Sequence, residues 1–177
     1  MSRRVSSWFR SYGFADVFEG LLIGAYPLDE ADVSMLASLG IERVLNLAEE
    51  SEYQSGDREA VEAALDAVGI EEHRLPLPDY GGLPPGLIAR AVQEVLEWLE
   101  EGKRVYLHCR AGWQRSAALA AAVVAIHEHM EIDEALALVQ SRKPSADPLP
   151  HQREDLRRWW EERKTSTATR PPGGDGP

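Results

Sequence analysis

Val105-Tyr106-Leu107-His108-Cys109-Arg110-Ala111-Gly112-Trp113-Gln114-Arg115-Ser116, followed by Ala117-Ala118-Leu119-Ala120-Ala121-Ala122-Val123-Val124-Ala125-Ile126, decides how this chain folds. The short apolar run before His108 reads as a buried strand, the middle as a loop, and the long apolar run behind it as a helix. A loop between a strand and a helix sits at the helix N-terminus, where free backbone N–H groups and the positive end of the dipole favour an oxyanion and a thiolate over a thiol. Cys109 is the only cysteine of the chain and stands in that loop.

Outward from this loop, strand and helix patterns alternate. Leu21-Leu22-Ile23, Val44-Leu45-Asn46-Leu47 and Glu72–Leu75 read as short strands. Asp29–Leu39, Arg58–Val68 and Leu87–Glu100 carry helical apolar spacing, with Gly40, Gly69 and Gly102 as stops. Pro76, Pro78, Gly81, Gly82, Pro84, Pro85 and Gly86 mark a long loop. Two further helices, Ile132–Ser141 and His151–Arg163, close the pattern. The expected fold is α/β: a central, mostly parallel sheet flanked by helices, with its site at the carboxyl ends of the strands.

At 177 residues the chain suits one domain, read as an N-terminal arm over 1–13, a catalytic domain over 14–164 and a disordered tail over 165–177. One cysteine excludes a disulfide framework and a Cys-rich zinc site. A net charge of −11 argues against nucleic-acid partners and against coating of anionic membranes. With no long apolar run, no membrane insertion is expected. The reading is a cytoplasmic monomer. Arg3, Arg4 and Arg10 among the serines of the arm leave organelle targeting as the alternative to an arm that packs Trp8, Phe9 and Phe14 on the domain.

Covalent hydrolysis of a phosphate monoester needs a nucleophile that is anionic at neutral pH, donors around three oxygens and an acid for the leaving group. Cys109 fits the nucleophile. Gly112 lets the loop turn its amides inward, because a residue without Cβ takes conformations closed to others. Arg115 offers a planar fork for two phosphoryl oxygens, which lysine does not. Ser116 can donate its hydroxyl to the cysteine sulfur, and His108 is read as fixing the loop. Arg110, Ala111, Gly112, Trp113, Gln114 and Arg115 together form the phosphate-binding loop.

The string resembles the His-Cys-x5-Arg-Ser/Thr signature of cysteine-dependent phosphatases, and the short chain resembles their dual-specificity branch over roughly residues 14 to 160. The resemblance implies a general acid on a mobile loop about thirty residues before the cysteine. Asp79 lies 30 residues upstream of Cys109, between prolines and glycines; its plainer use is a solvated turn residue. Asp57 and Asp147 are weaker choices. Asn46 matches a position where relatives carry an asparagine whose amide supports the phosphate loop, with a simple strand-end turn as the other account. Glu49, Glu50 and Glu52 are read first as a solvated acidic loop, and second as orienting a loop arginine or lining the pocket rim. His127 and His129 point apart and make a poor metal pair, while Trp98, Trp159 and Trp160 read as packing residues. Neither a cofactor nor a metal is expected.

The implied substrate is a phosphoprotein bearing phosphotyrosine, with phosphoserine and phosphothreonine as an extension of that range. A phosphorylated lipid or small molecule is the alternative, because Leu21-Leu22-Ile23-Gly24-Ala25-Tyr26-Pro27-Leu28, Glu49-Glu50 and His-Cys-x-Ala-Gly resemble the mitochondrial phosphatidylglycerophosphate phosphatases. Arg110 as the only additional basic residue in the loop speaks against a polyphosphoinositide. Trp113 either faces the pocket mouth as an apolar wall or props the loop from inside, and Gln114 stands where dual-specificity enzymes often have serine or glycine. A rhodanese-like sulfur transferase is a remote reading, since those loops usually leave four residues between cysteine and arginine. A phosphate-binding adaptor is another, though it predicts a missing catalytic residue.

Overall fold

The computed structural model describes residues 4–168. In chain order these form α1 (Ser7–Tyr12), β1 (Phe14–Phe18), β2 (Leu21–Gly24), α2 (Glu30–Ser38), β3 (Arg43–Asn46), a 3-10 turn (Glu50–Glu52), α3 (Asp57–Val68), β4 (Glu71–Arg74), α4 (Pro85–Glu100), β5 (Val105–His108), α5 (Arg115–His127), α6 (Ile132–Arg142) and α7 (Pro150–Ala168). The sheet order is β1-β2-β5-β3-β4, with β2, β5, β3 and β4 parallel and β1 antiparallel to β2 at one edge. The mostly parallel sheet expected from the alternating pattern is therefore present.

Each central strand divides its side chains between two cores, as the period of two requires. Leu21, Ile23, Leu45, Leu47, Val105 and Leu107 pack with α4, α5, α6 and α7. Leu22, Val44 and Tyr106 pack with Phe9, Val33, Leu36, Val61 and Leu65 from α1, α2 and α3. Every residue of α5 from Arg115 to Ala125 is buried. Its alanines have little bulk, so the sheet, α4, α6 and α7 can all approach it, which fixes the helix end that carries the phosphate loop. Trp98, Trp159 and Trp160 are buried in the same core, as expected.

Two boundaries differ from the sequence reading. Ser7–Tyr12 is a helix capped by Ser6, whose hydroxyl accepts the Phe9 N–H, and Phe14–Phe18 is an edge strand; neither was expected as a regular element. The helix α7 runs to Ala168, four residues beyond the end of the expected catalytic domain, and the rest of the expected tail lies outside the described residues. No described helix is long and apolar enough to cross a membrane.

Candidate active site

The loop after β5 is shaped by where its carbonyls go. Arg110 O accepts the Tyr26 N–H at 2.9 Å and Trp113 O accepts the Asp147 N–H at 2.6 Å. In a trans peptide the N–H points opposite to its carbonyl, so the amides of Ala111 and Gln114 point away from the Tyr26 and Asp147 partners of those carbonyls. Gly112 makes this path possible. It has φ of +76°, and a Cβ there would lie 2.5 Å from the Gly24 carbonyl carbon and 2.7 Å from its oxygen. Gly24 is itself crowded, because a Cβ on it would meet Gly13 O at 2.5 Å. The loop crosses β2 at a point where neither chain has room for a side chain.

Cys109 is 2% exposed and lies 3.3 Å, sulfur to oxygen, from Ser116 Oγ. His108 is wholly buried. Burial pushes its imidazole down to about 4, so it is neutral at pH 7, and its Nδ1–H donates to the Cys109 carbonyl at 2.9 Å. That bond ties the ring to the backbone at the start of the loop.

Arg115 is 1% exposed and spreads its fork over three segments. Glu52 takes Nη1 at 2.8 Å and Nη2 at 2.6 Å, the Leu77 carbonyl takes Nη1 at 2.9 Å, and Asp79 Oδ1 lies 3.2 Å from Nη2. Burial works against the guanidinium charge, yet the Glu52 hydrogen bonds and the nearby Cys109 and Asp79 hold it above its ordinary range. Burial likewise works against the Glu52 carboxylate, while Arg115 and the Glu49 N–H hold it below its ordinary range. Arg115 Nε is buried without a hydrogen-bond partner among the described residues. A buried donor of this kind is costly unless a ligand oxygen meets it.

The Glu52 contact corrects the first reading of the acidic segment. Glu50 pairs with Arg74 at 2.6 Å near the surface, but Glu52 is the arginine orienter. A 3-10 turn delivers it, closed by reciprocal bonds between Glu49 and Glu52. Of the two accounts of Asn46, the geometry matches the strand-end turn. Among the described residues its side chain does not hydrogen-bond the phosphate loop; it accepts the Ala48 N–H at 2.9 Å and donates to the Tyr53 hydroxyl at 2.7 Å. Its support is therefore indirect, through the turn that carries Glu52. Tyr53 is pushed up to about 12 by burial and stays a neutral hydroxyl acceptor.

Asp79 reaches the site from the loop between β4 and α4. That loop is tied near both ends, by the Leu77 N–H to Leu47 O at 3.0 Å and by the Leu83 N–H to Asp155 Oδ2 at 2.8 Å. Its tip is a turn closed by the Gly81 N–H to Pro78 O at 3.0 Å, with Tyr80 at φ +60°. Asp57 begins α3, and Asp147 pairs with Arg153 at 3.0 Å in an exposed bridge. Cys109, Arg115 and Asp79 line one pocket, whose mouth carries Trp8, Tyr12, Tyr80 and Trp113. Trp113 is 43% exposed, so it faces the mouth and does not prop the loop from inside. Arg110 is exposed beside it, over the ring of Trp8 at 5.9 Å. Trp8 and Tyr12 at the mouth were not foreseen, because their place depends on how α1 folds back onto the sheet.

The family description "Dual specificity phosphatase, catalytic domain" matches residues 22–162. A Rattus norvegicus protein, "Phosphatidylglycerophosphatase and protein-tyrosine phosphatase 1", is 29% identical over 143 residues, 80% of this chain and 73% of its own length. An Arabidopsis thaliana protein, "Phosphatidylglycerophosphate phosphatase PTPMT2", is 32% identical over 152 residues, 85% of this chain and 63% of that one. The crystal structure of PTPMT1 superposes with a TM-score of 0.75 at 23% identity, covering 89% of this chain and 99% of that chain. Tk-PTP in its active form does so with a TM-score of 0.72 at 23% identity, over 83% and 96%. With its cysteine loop intact, the chain belongs to the dual specificity phosphatase catalytic-domain family and is a cysteine-dependent phosphatase.

Proposed function

We propose that hydrolysis runs through a phosphocysteine intermediate on Cys109. Cys109 Sγ attacks phosphorus while the S–P bond forms and the P–O bond to the leaving group breaks, with Asp79 passing its proton to the departing oxygen. Water then attacks the thiophosphate, Asp79 takes the water proton, and sulfur leaves with the Ser116 hydroxyl donating to it. The loop amides, together with Arg115, bind the equatorial oxygens as charge develops. His108 and Asn46 act by holding the loop and the Glu52 turn. The observation that carries this reading is the meeting of Cys109, Arg115 and Asp79 in one pocket from two separate loops.

For the substrate, we propose a phosphate held out on a slender stem, because the sulfur lies at the bottom of a pocket with an aromatic rim. Phosphotyrosine in a protein fits that shape. Phosphatidylglycerophosphate is the second reading, favoured by the names of the rat and Arabidopsis relatives. A cytoplasmic setting belongs to the same proposal, since reducing conditions keep a lone catalytic thiol active.

Acid-quenched enzyme incubated with 32P-labelled substrate should retain label in the wild type and none in Cys109→Ser, which should also fail to hydrolyse p-nitrophenyl phosphate while still binding tungstate. Turnover by Cys109→Ser would end the mechanism. A panel of phosphotyrosine peptide, micellar phosphatidylglycerophosphate and inositol phosphate then ranks the substrates by kcat/KM, and a lipid ahead by orders of magnitude would displace phosphotyrosine.

A further inference from the structure

α1 lies before the sheet in sequence, yet its Trp8 and Tyr12 line the catalytic pocket. Their rings pack on each other with centroids 4.1 Å apart, and Tyr12 meets Trp113 of the phosphate loop at 5.3 Å. One continuous aromatic wall thus runs from the arm onto the loop.

A six-residue helix does not hold such a position by itself, since isolated short helices are marginal in water. Three ties secure it. The wholly buried Asp32 carboxylate accepts both the Ser6 N–H and the Ser6 hydroxyl at 2.7 Å. Trp8 Nε1 donates to Tyr26 O at 3.1 Å. At the other end, Lys143 Nζ donates to Tyr12 O at 3.0 Å and to Ser145 Oγ at 2.6 Å.

Lys143 is the unusual tie. It follows the end of α6, is 5% exposed and, among the described residues, bonds a carbonyl and a hydroxyl and no carboxylate. Burying an unpaired ammonium is unfavourable, and burial accordingly lowers its proton affinity while the field of Cys109 acts to raise it. Its three N–H donors point to a job that an apolar residue of similar length cannot do: holding the last carbonyl of α1.

We propose that α1 is a substrate-selecting wall of the catalytic pocket and that Lys143 is the positioning residue that keeps it closed. Trp8 and Tyr12 pack against the part of the substrate next to the phosphate, so the wall favours monoesters with a flat or extended apolar body over small hydrophilic ones. This rests on the phosphatase reading above, and adds to it the residues that choose the ester.

The test compares wild type, Trp8→Ala, Lys143→Met and Lys143→Arg with 4-methylumbelliferyl phosphate, using inorganic phosphate as a competitive inhibitor. Loss of one aromatic contact should raise KM about 5- to 10-fold in Trp8→Ala and Lys143→Met, with kcat held within about twofold. The inhibition constant of phosphate should not move, because that ion touches only the loop. Lys143→Arg should recover most of the KM, since it restores a long cationic donor. A Lys143→Met variant that folds with KM unchanged, or that fails to fold at all, overturns the positioning role of Lys143, and Trp8→Ala then tests the wall on its own. An unchanged KM in Trp8→Ala overturns the wall, and weakened phosphate inhibition in step with KM overturns it too, by placing the effect in the phosphate loop. Absence of turnover in the wild type would instead overturn the phosphatase reading underneath.

Discussion

Each of the two loops that meet in the pocket contains a residue in the left-handed backbone region, and the two are occupied differently. In the phosphate loop it is Gly112 at φ +76°, pressed against the Gly24 backbone. In the acid loop it is Tyr80 at φ +60°, 68% exposed at the tip of a turn. The first position needs glycine on two counts, conformation and space. The second needs it on conformation alone, yet carries one of the bulkiest side chains. The nucleophile side of the site is thus fixed by steric exclusion, whereas the acid side holds a large exposed side chain at a left-handed position.

The strongest way to break this contrast is Gly112→Ala. A methyl group there meets backbone on both counts, and left-handed strain plus overpacking sum to about 2–5 kcal/mol. The loop should shift off β2, activity toward p-nitrophenyl phosphate should fall to near background, and the melting temperature should drop by about 5–15 °C. Near-normal activity would mean the crossing with Gly24 has slack, and the contrast would lose its steric half.

The buried end of β5 that leads into the phosphate loop also carries a titration linked to stability. His108 is held at about 4 in the folded chain against an ordinary 6.5, so between those values the unfolded chain binds more protons. Stability is fully present above about pH 6.5, falls as pH drops from there and is lost by about pH 4, a change of order 3 kcal/mol. Glu52, held below its ordinary 4.5, contributes stability that is present above that value and is lost as pH falls below it, a window that begins where the His108 one is ending. Melting temperatures from pH 7.5 to 4.5 should decline in the wild type and decline much less in His108→Gln. Parallel curves would show that the imidazole is not what makes the loop acid-sensitive.

Asp79→Asn tests the acid loop through its chemistry. The amide keeps the shape of the carboxyl group and removes its transferable proton, so kcat should fall by about 100-fold for phenyl phosphate, a poor leaving group, and far less for p-nitrophenyl phosphate. Equal losses for both would assign Asp79 to the Arg115 contact at 3.2 Å and not to proton transfer.

The two loops also differ in how well their sequence announced them. Cys109, Gly112, Arg115 and Ser116 sit in one contiguous string that runs from the end of a strand into the first turn of a helix, so local pattern sufficed to assemble them. Asp79 was accessible through its spacing and its prolines and glycines. Glu52 was ranked the wrong way because its contact with Arg115 spans 63 residues, and acidic residues in a turn usually face solvent. The pairing of Lys143 with Tyr12, 131 residues apart, had no local sign at all. The alternating strands and helices were plain because period and length carry them, while α1 and β1 were missed because one is short and the other is a half-buried edge.

Tyr80→Gly has the smallest expected effect and bears most directly on the contrast. Glycine removes a left-handed cost of about 1 kcal/mol and gives part of it back as unfolded-state entropy, so the melting temperature should rise by about 1–3 °C. The ring is lost from the pocket mouth, so KM for aryl phosphates should rise by about two- to fivefold while inhibition by inorganic phosphate holds. A protein that becomes slightly more stable and binds its ester less well is one in which strain was kept for the sake of a binding surface. A melting temperature that falls would say the opposite: that the Tyr80 ring braces the turn, and that the acid loop, like the phosphate loop, is shaped by packing.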